Sequence, residues 1–230
     1  MGKIQVGSLV GEVRRKVGNL IYSRNQGGAY TKAYAVPTNP NTTFQQDARF
    51  RFFTVQNLWG SITEAQRQAW IAAAPDWPIM DNIGNMIVLS GYDLFMRLNL
   101  NLSIIGAATI DTPVPQQPIP ALTEFGFNAD LLNGIMNVVT DVTAIPADHT
   151  LVIALTAAMP ATQNYIKDKL RVMYQFNPGE NPNADNIVFV YLARFGQVPV
   201  TGEKVGCRGY YINNNTGQMG VRYTNIAIST

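Results

Sequence analysis

The sequence is poor in the side chains on which most protein chemistry depends. Its 230 residues include one cysteine, Cys207, and one histidine, His149. A single cysteine excludes an intrachain disulfide and a C-x-x-C metal site. Cys207 lies in an apolar stretch, VGCRGYY, that predicts a strand, where a free cysteine usually acts as a small buried hydrophobe. His149 falls in a predicted turn far along the chain, so the sequence supplies no base to activate the thiol.

Motifs for nucleotide binding and catalysis are also missing from the sequence. The glycine clusters GSLVG and GGAY lack the strand-to-helix context of a phosphate-binding loop, and no G-x-S-x-G elbow occurs. The tightest acidic group, Asp148 with Glu180 and Asp185, comes from predicted loops without the D-x-D-x-D-G pattern of a calcium loop. We therefore predict that the chain is not an enzyme, with no catalytic residue, cofactor, metal or small-molecule substrate.

Long apolar runs and charged side chains are scarce as well. No run approaches the roughly 18 apolar residues of a membrane span, and no signal-peptide core follows Met1-Gly2-Lys3, so we predict no membrane partner and synthesis in a cytoplasm. Charged residues make up 14% of the chain, against a usual value of about 25%. Uncharged polar side chains desolvate at lower cost than ions, which suits a protein that packs against neighbours.

The charges that are present are unevenly distributed. Residues 1–51 carry eight basic and two acidic side chains, a net charge of +6, and the remainder carries nine and thirteen, a net charge of −4. A basic arm of this kind can contact nucleic acid, an acidic partner or another copy of the chain. We predict that the basic residues of this arm bind a partner: Arg14, Arg15, Lys16, Arg24, Lys32, Arg49 and Arg51.

The N-terminal part of the arm predicts a β-ribbon. Residues 17–23 and 29–36 are typical of two strands, and the linker RNQGG between them is a hairpin signal. Tyr30, Lys32 and Tyr34 fall on one face of the second strand. Tyrosines interleaved with basic residues can bind nucleic acid through phosphate contacts and stacking. An edge ribbon whose lysines prevent stray strand pairing is the alternative, and we favour it.

Helices follow the ribbon. The turn PTNPNTT predicts a start capped by Asn41 or Thr42, a helix end at Gly60, and a second helix over residues 62–74 with an S-x-x-E capping box at Ser61–Glu64. A third helix over residues 91–102 begins at SGYD. In the first helix an apolar stripe at helical spacing predicts the core-forming spine of the module: Phe44, Ala48, Phe52, Val55 and Trp59.

The chain changes character at TPVPQQPIP, residues 112–120, whose four prolines predict a stiff linker. Beyond it, seven short runs separated by turn signals are typical of an immunoglobulin- or fibronectin-like β-sandwich. The predicted fold is therefore α+β: a basic ribbon-and-helix module over 1–111, the linker 112–120 and a sandwich over 121–230. The predicted strands cover residues 122–129, 134–142, 150–157, 168–175, 186–193, 204–213 and 220–228.

Several motifs resemble those of small virion-associated proteins of tailed phages that infect Bacteroidetes-type hosts, crAss-like phages among them, and of related prophage-borne proteins. They are MGKIQVGSLVGEVRRKVGN at the start, VPTNPNTTFQQDARFRF over 36–52, LWGSITEAQRQAW over 58–70 and SGYDLFMRLN over 90–99. The sandwich region adds ARFGQVPVTGEKV and YINNNTGQ. Together these motifs touch most of the chain, and the central block is the most specific.

The resemblance implies a non-enzymatic structural component of a virion, made in the host cytoplasm. The expected partners are other virion proteins and copies of the same chain, and the expected role is assembly or decoration at the capsid, neck or tail. Two alternatives stay open. The basic N-terminal segment could instead make the chain a nucleic-acid-binding packaging protein, or the sandwich could bind the host surface through its loops.

Overall fold

The secondary structure is that of a computed structural model, which describes residues 2–3, 15–25, 28–36, 39, 41–81, 84–130 and 133–230. Over these residues the chain mixes four α-helices with antiparallel sheets, 27% of it helix and 30% strand. The predicted α+β class is confirmed at this level. The chain divides into two compact units, Met1–Leu94 and Phe95–Thr230. We describe each unit separately.

The first unit begins with a four-stranded sheet. Its strands are β1 (Gly2–Lys3), β2 (Arg15–Val17), β3 (Leu20–Asn25) and β4 (Gly28–Ala33), in the order β1-β4-β3-β2. β3 and β4 pair antiparallel over their whole length, on either side of the predicted hairpin turn. Among the side chains described on β2, β3 and β4, none is buried. These strands therefore provide no buried core.

Two helices follow, α1 (Thr43–Ser61) and α2 (Glu64–Ala73), and a single 3-10 turn (Ala74–Asp76) ends the pair. The Thr42 side chain accepts a hydrogen bond from the Gln45 amide at 3.4 Å, in agreement with the predicted helix start. The prediction that Gly60 ends α1 is wrong, because the helix continues through Ser61.

The predicted capping box at Ser61–Glu64 is also wrong. The Ser61 hydroxyl still lies in α1 and donates to the Leu58 carbonyl at 2.8 Å. The box is formed two residues later, where Thr63 caps α2 and the Gln66 side chain accepts from the Thr63 amide at 2.8 Å. The chain is extended between the end of α1 and the start of α2, so the cap of α2 comes two residues later than predicted.

A two-stranded pair, β5 (Ile79–Met80) and β6 (Met86–Ile87), leads into α3 (Gly91–Ile105). The boundary along the chain between the two units falls within α3. The Ser90 hydroxyl accepts from the Asp93 amide at 3.1 Å, as the predicted capped start requires. A Cβ on Gly91 would lie 2.7 Å from the Ile71 backbone nitrogen, so only glycine fits this close approach to α2. Among the described residues of the first unit, the buried apolar ones are Val55, Ile62, Trp70, Ala74, Trp77 and Leu94.

The second unit contains two antiparallel sheets. A two-stranded sheet joins β7 (Phe125–Asp130) to β8 (Ile135–Thr140), and a four-stranded sheet has the order β10-β9-β11-β12. The strands of the larger sheet are β9 (His149–Leu155), β10 (Arg171–Phe176), β11 (Lys204–Asn213) and β12 (Tyr223–Ile228). Every side chain of β9 is buried. One apolar cluster includes side chains from both sheets, among them Phe127, Val138, Leu151, Phe176, Cys207 and Tyr211.

One predicted strand of this region is a helix. Residues 186–193 were expected to be extended, but the chain forms α4 (Val188–Phe195) there. Ile187 and Tyr191, one helical turn apart, are both buried, and Gly196 ends the helix in the left-handed conformation at φ 78°. A short apolar run fits a buried strand or a buried helix equally well by periodicity, and the glycine at its end is the signal that favours the helix.

The proline-rich segment 112–120 lies within the second unit. The boundary between the two compact units therefore falls earlier in the chain than the predicted linker. Residues of segment 112–120 contact β11 and the connection from β11 to β12. The Gln117 amide donates to the Gln218 side chain at 3.0 Å, and Ile119 packs against the apolar cluster. Two residues beyond it, the Leu122 amide donates to the Tyr223 hydroxyl at 2.9 Å. The predicted division into domains 1–111 and 121–230 stays a prediction.

Candidate interaction surface

The N-terminal half of α1 exposes its large aromatic side chains. Phe50 is 70% exposed, Phe53 60%, Phe44 53% and Phe52 48%, and Val55 is the only buried residue of the helix. The prediction that Phe44 and Phe52 form a core spine is therefore wrong for the chain by itself. Helical spacing shows which side chains share one side of a helix, but not that another part of the chain covers that side.

These aromatic residues occupy two opposite sides of α1. At about 100° per residue, Phe44, Ala48 and Phe52 share the side that continues to the buried Val55. We call this exposed set the Phe52 face. Phe50 and Phe53 lie on the opposite side of the helix. They are aligned there with other exposed residues at alternating spacings of four and three, which is the spacing of side chains in a helix–helix seam. This Phe50 face consists of Gln46, Phe50, Phe53, Asn57 and Gly60.

A helix that is apolar on opposite sides is normally buried on both of them. Here residues 43–54 are exposed at every position except the half-buried Gln45. A helical segment of about twelve residues is marginal in water without packing. The geometry of α1 therefore suits a segment that is covered by another protein surface.

Of the seven basic residues predicted to bind a partner, four lie on the sheet of the first unit. Strand register places Lys16 and Lys32 on one face, both beside Ile21, and Arg15 and Arg24 at positions of the other face. All four are exposed. The basic residues of the sheet are thus divided between its two faces.

The face that carries the two lysines also carries aromatic rings. The Lys16 ammonium lies 3.7 Å from the centroid of the Tyr34 ring, a cation–π contact. Tyr30 lies two residues from Lys32 on the same strand and therefore on the same face. The alternation of Tyr30, Lys32 and Tyr34 predicted from the sequence fits this geometry.

The other predicted partner-binding residues have different settings. Arg14 lies outside the described residues. Arg49 donates to the Asn39 side chain at 2.7 Å and to the Asn41 side chain at 3.4 Å, so it fastens the start of α1 to the preceding turn. Arg51 is exposed on α1, beside the Phe52 face. Of the predicted set, the structure brings Lys16 and Lys32 together on one sheet face with Tyr30 and Tyr34, and Arg15 and Arg24 together on the other face with Tyr22.

The second unit buries the two rare side chains noted in the sequence. Cys207 is fully buried in β11, as predicted, and burial raises the pKa of its thiol. His149 is not in a turn but begins β9, where it is 7% exposed and where desolvation lowers its pKa. Its ring contacts the Tyr211 ring edge-on, with centroids 6.0 Å apart. The two side chains occupy opposite ends of paired strands, since Cys207 is opposite Leu155 and Asn213 is opposite His149.

The acidic side chains Asp148, Glu180 and Asp185, weighed above as a calcium site, bind different local partners. Glu180 accepts from the Asn177 amide at 2.6 Å, Asp185 from the Tyr174 hydroxyl at 2.9 Å, and Asp148 from the Asn215 side chain at 3.4 Å. Across the part of the chain that the structure describes, no cluster of three or more His, Cys, Asp and Glu side chains could hold a metal ion.

A shallow cavity of about 250 Å³ opens beside α4. Its lining combines apolar side chains with two basic ones, Lys169 and Arg171. Arg171 donates to the backbone carbonyls of Asp168 and Leu170 at 3.0 and 2.9 Å, which holds its guanidinium against its own turn. The cavity therefore presents no assembled set of groups for a chemical step.

The comparisons with known proteins provide no relative. Neither a protein-family model, nor a curated protein, nor a solved structure matches the chain. Within the described residues, no helix has both the length and the apolar character needed to cross a membrane.

The residues missed by sequence reasoning are Phe50 and Phe53. They lie outside the predicted stripe, and no role is predicted for them from the sequence. Their spacing of three, on the side opposite Phe44 and Phe52, was a usable signal, because one core cannot cover two opposite sides of a helix.

Proposed function

We propose that the chain is a structural component of a tailed-phage virion that acts through protein–protein contacts as a capsid-, neck- or tail-associated assembly or decoration protein. The observation that supports this most is the exposed aromatic surface of α1. Exposed apolar patches rimmed by polar residues mark interaction sites, and aromatic side chains are enriched where proteins bind each other. The motifs that resemble virion proteins include α1 itself, over VPTNPNTTFQQDARFRF.

The finer architecture belongs to the same proposal. We infer that the second unit is an immunoglobulin-like sandwich and that the sheet of the first unit serves as an anchoring ribbon. Two antiparallel sheets with one shared apolar cluster support the sandwich, whereas α4 occupies the place of one predicted strand. The short edge strands β1 and β2, with Arg15 and Lys16 on β2, support a ribbon that pairs with neighbours selectively.

Mass spectrometry of density-purified particles tests the proposal. Particles are prepared from the phage or induced prophage that encodes the chain, and an abundant host cytoplasmic protein serves as the contamination control. We expect the chain at a fixed ratio to the other particle proteins through successive gradients, while the host protein is depleted. A chain that is depleted together with the host protein contradicts the proposal.

A second function, nucleic-acid binding, is favoured by one specific observation. Lys16 and Lys32 share a sheet face with Tyr30 and Tyr34, and this arrangement combines phosphate contacts with a stacking surface. Binding of single-stranded DNA should then weaken steeply as salt rises, and replacing Lys16 and Lys32 by glutamine should reduce the salt dependence. Affinity that does not change with salt, or with these substitutions, excludes this second function.

A further inference from the structure

We infer that α1 joins copies of this chain head to tail, with the Phe50 face of one copy packed on the Phe52 face of the next. This inference rests on the proposed structural role and adds the identity of the partner and the two surfaces that meet. A contact between two different surfaces of the same chain is heterologous, so it propagates from copy to copy and closes into a ring when the rotation permits.

The two faces match in kind and in extent. Each presents two phenylalanine rings, Phe50 and Phe53 on one face and Phe44 and Phe52 on the other, all about half exposed or more. Because a fully exposed phenylalanine offers on the order of 200 Å², each face presents roughly 200 to 260 Å² of ring surface. A symmetric pairing through one face would leave the other face in water, whereas head-to-tail packing covers both.

Small residues permit the close approach that this packing needs. Gly60 lies on the Phe50 face and Ala48 lies between Phe44 and Phe52 on the other, and both positions are exposed. A phenylalanine ring of one helix can therefore pack over the small residue of the next. The rings supply about a quarter to a third of the area of a standard interface of about 800 Å² per partner, so the polar residues that flank them complete the contact.

The charges beside the two faces are complementary when the copies run parallel. Asp47 lies about 100° from the centre of the Phe50 face, and Arg51 lies about 60° from the centre of the Phe52 face. With parallel helices, Asp47 of one copy and Arg51 of the next lie on the same side of the contact. Antiparallel helices would place them on opposite sides. The positions of Asp47 and Arg51 therefore favour parallel over antiparallel packing of two copies.

Mixing two complementary variants of the full chain tests the inference. The Phe50-face variant carries Phe50→Gln and Phe53→Gln, and the Phe52-face variant carries Ala48→Gln and Phe52→Gln, because glutamine keeps a high helix propensity. Phe189→Gln is the matched control, since Phe189 is 77% exposed on α4 in the second unit. Mass is measured by light scattering and analytical ultracentrifugation, and circular dichroism checks that each variant keeps the fold of the second unit.

We expect the unmodified chain and the Phe189→Gln control to form an assembly of several copies, and each α1 variant to be monomeric. A mixture of the two α1 variants should form a one-to-one dimer, because one intact face of each kind remains in the pair. A monomeric unmodified chain, a Phe52-face variant that still dimerises, or a mixture that stays monomeric overturns the inference. Presence of the chain in particles together with any of these results would retain the proposed function and refute only the inference.

Discussion

The two units of this chain are stabilised in different ways. In the second unit, every side chain of β9 is buried and residues from both sheets share one apolar cluster. In the first unit, the side chains described on β2, β3 and β4 include no buried one, and α1 buries one residue out of nineteen. The difference shows that the second unit carries its own apolar core, whereas the large aromatic side chains of α1 in the first unit are exposed.

Composition does not reveal this difference. Phenylalanines occur in both units, but Phe176 on β10 is fully buried and Phe53 on α1 is mostly exposed. Since transfer from water is what stabilises an apolar side chain, the same residue type holds one unit together and leaves the other incomplete. Paired substitutions, one in each unit, test this difference.

The largest effect should come from Phe176→Ala set against Phe53→Ala. Loss of the buried ring should lower the free energy of unfolding of the chain by about 3–5 kcal/mol, while loss of the exposed ring should change it by less than about 0.5 kcal/mol. Urea titration of the dilute, monomeric chain measures both values. Equal destabilisation by the two substitutions would abolish the distinction between the units.

A smaller effect should follow from Gly217→Ala in the second unit. Gly217 has φ +71°, and a Cβ there would overlap the Leu98 carbonyl of α3, so the change should cost about 2–4 kcal/mol. Gly179 is the matched control, since its φ is +84° but the space around it is open. Gly179→Ala should cost only the backbone strain, about 1 kcal/mol. If both variants unfold at one urea concentration, α3 does not pack tightly against this turn.

Acid should weaken the second unit through His149. Desolvation lowers the pKa of this side chain, although the nearby Asp148 opposes the shift. As pH falls below about 6.5, the unfolded chain binds a proton that the folded chain does not, so the free energy of unfolding falls by at most about 1.4 kcal/mol per pH unit. The fall ends when the pH reaches the lower pKa of the folded state. His149→Gln should remove this component from the curve of unfolding free energy against pH. The relevant window runs from about pH 5 to about pH 7.5, on both sides of the reference pKa of roughly 6.5.

An unchanged pH dependence in His149→Gln would show that other groups cause the loss. The substitution itself should cost stability near neutral pH, because the ring contacts Tyr211 and its Nε2 lies 3.4 Å from the Asn213 side chain. The comparison is therefore made between the slopes of the two curves, and the absolute stabilities do not enter it.

The smallest effect should come from Lys16→Gln on the sheet of the first unit. An exposed cation–π contact contributes about 0.5–1 kcal/mol, so loss of the contact with Tyr34 should speed hydrogen exchange nearby by roughly two- to fivefold. The Tyr34 amide, which donates to the Asn19 carbonyl at 2.7 Å, reports this exchange. Lys16→Arg should preserve the rate. Equal acceleration in both variants would mean that the ring contact does not stabilise the strand.

The sequence predicted the strands of the second unit better than the role of α1. The run over residues 204–213 is β11 with the predicted bounds, because a short, largely apolar run between turn signals defines a buried strand locally. The run over residues 186–193 is ambiguous by periodicity, and a helix forms there. At Phe44 and Phe52 the helical spacing was correct, but the burial was not. Burial depends on what lies opposite a surface, and that surface need not belong to the same chain.

The predicted basic set illustrates the same limit. A net charge of +6 over residues 1–51 identifies a cationic segment, yet strand register sends Lys16 and Lys32 to one face and Arg15 and Arg24 to the other. Arg49 is used locally, by Asn39 and Asn41. Composition gives the charge of a segment, and only the fold decides which of its charges share a surface.

Hydrogen exchange of the full chain, compared between the dilute and the assembled protein, measures whether α1 becomes covered only on assembly. Amides in residues 43–54 of α1 should exchange rapidly in the dilute chain and become protected on assembly. Amides of β9 and β11 should be protected in both states, because their core lies within the second unit. Strong protection of residues 43–54 in the dilute monomer, or no gain of protection on assembly, would contradict the account.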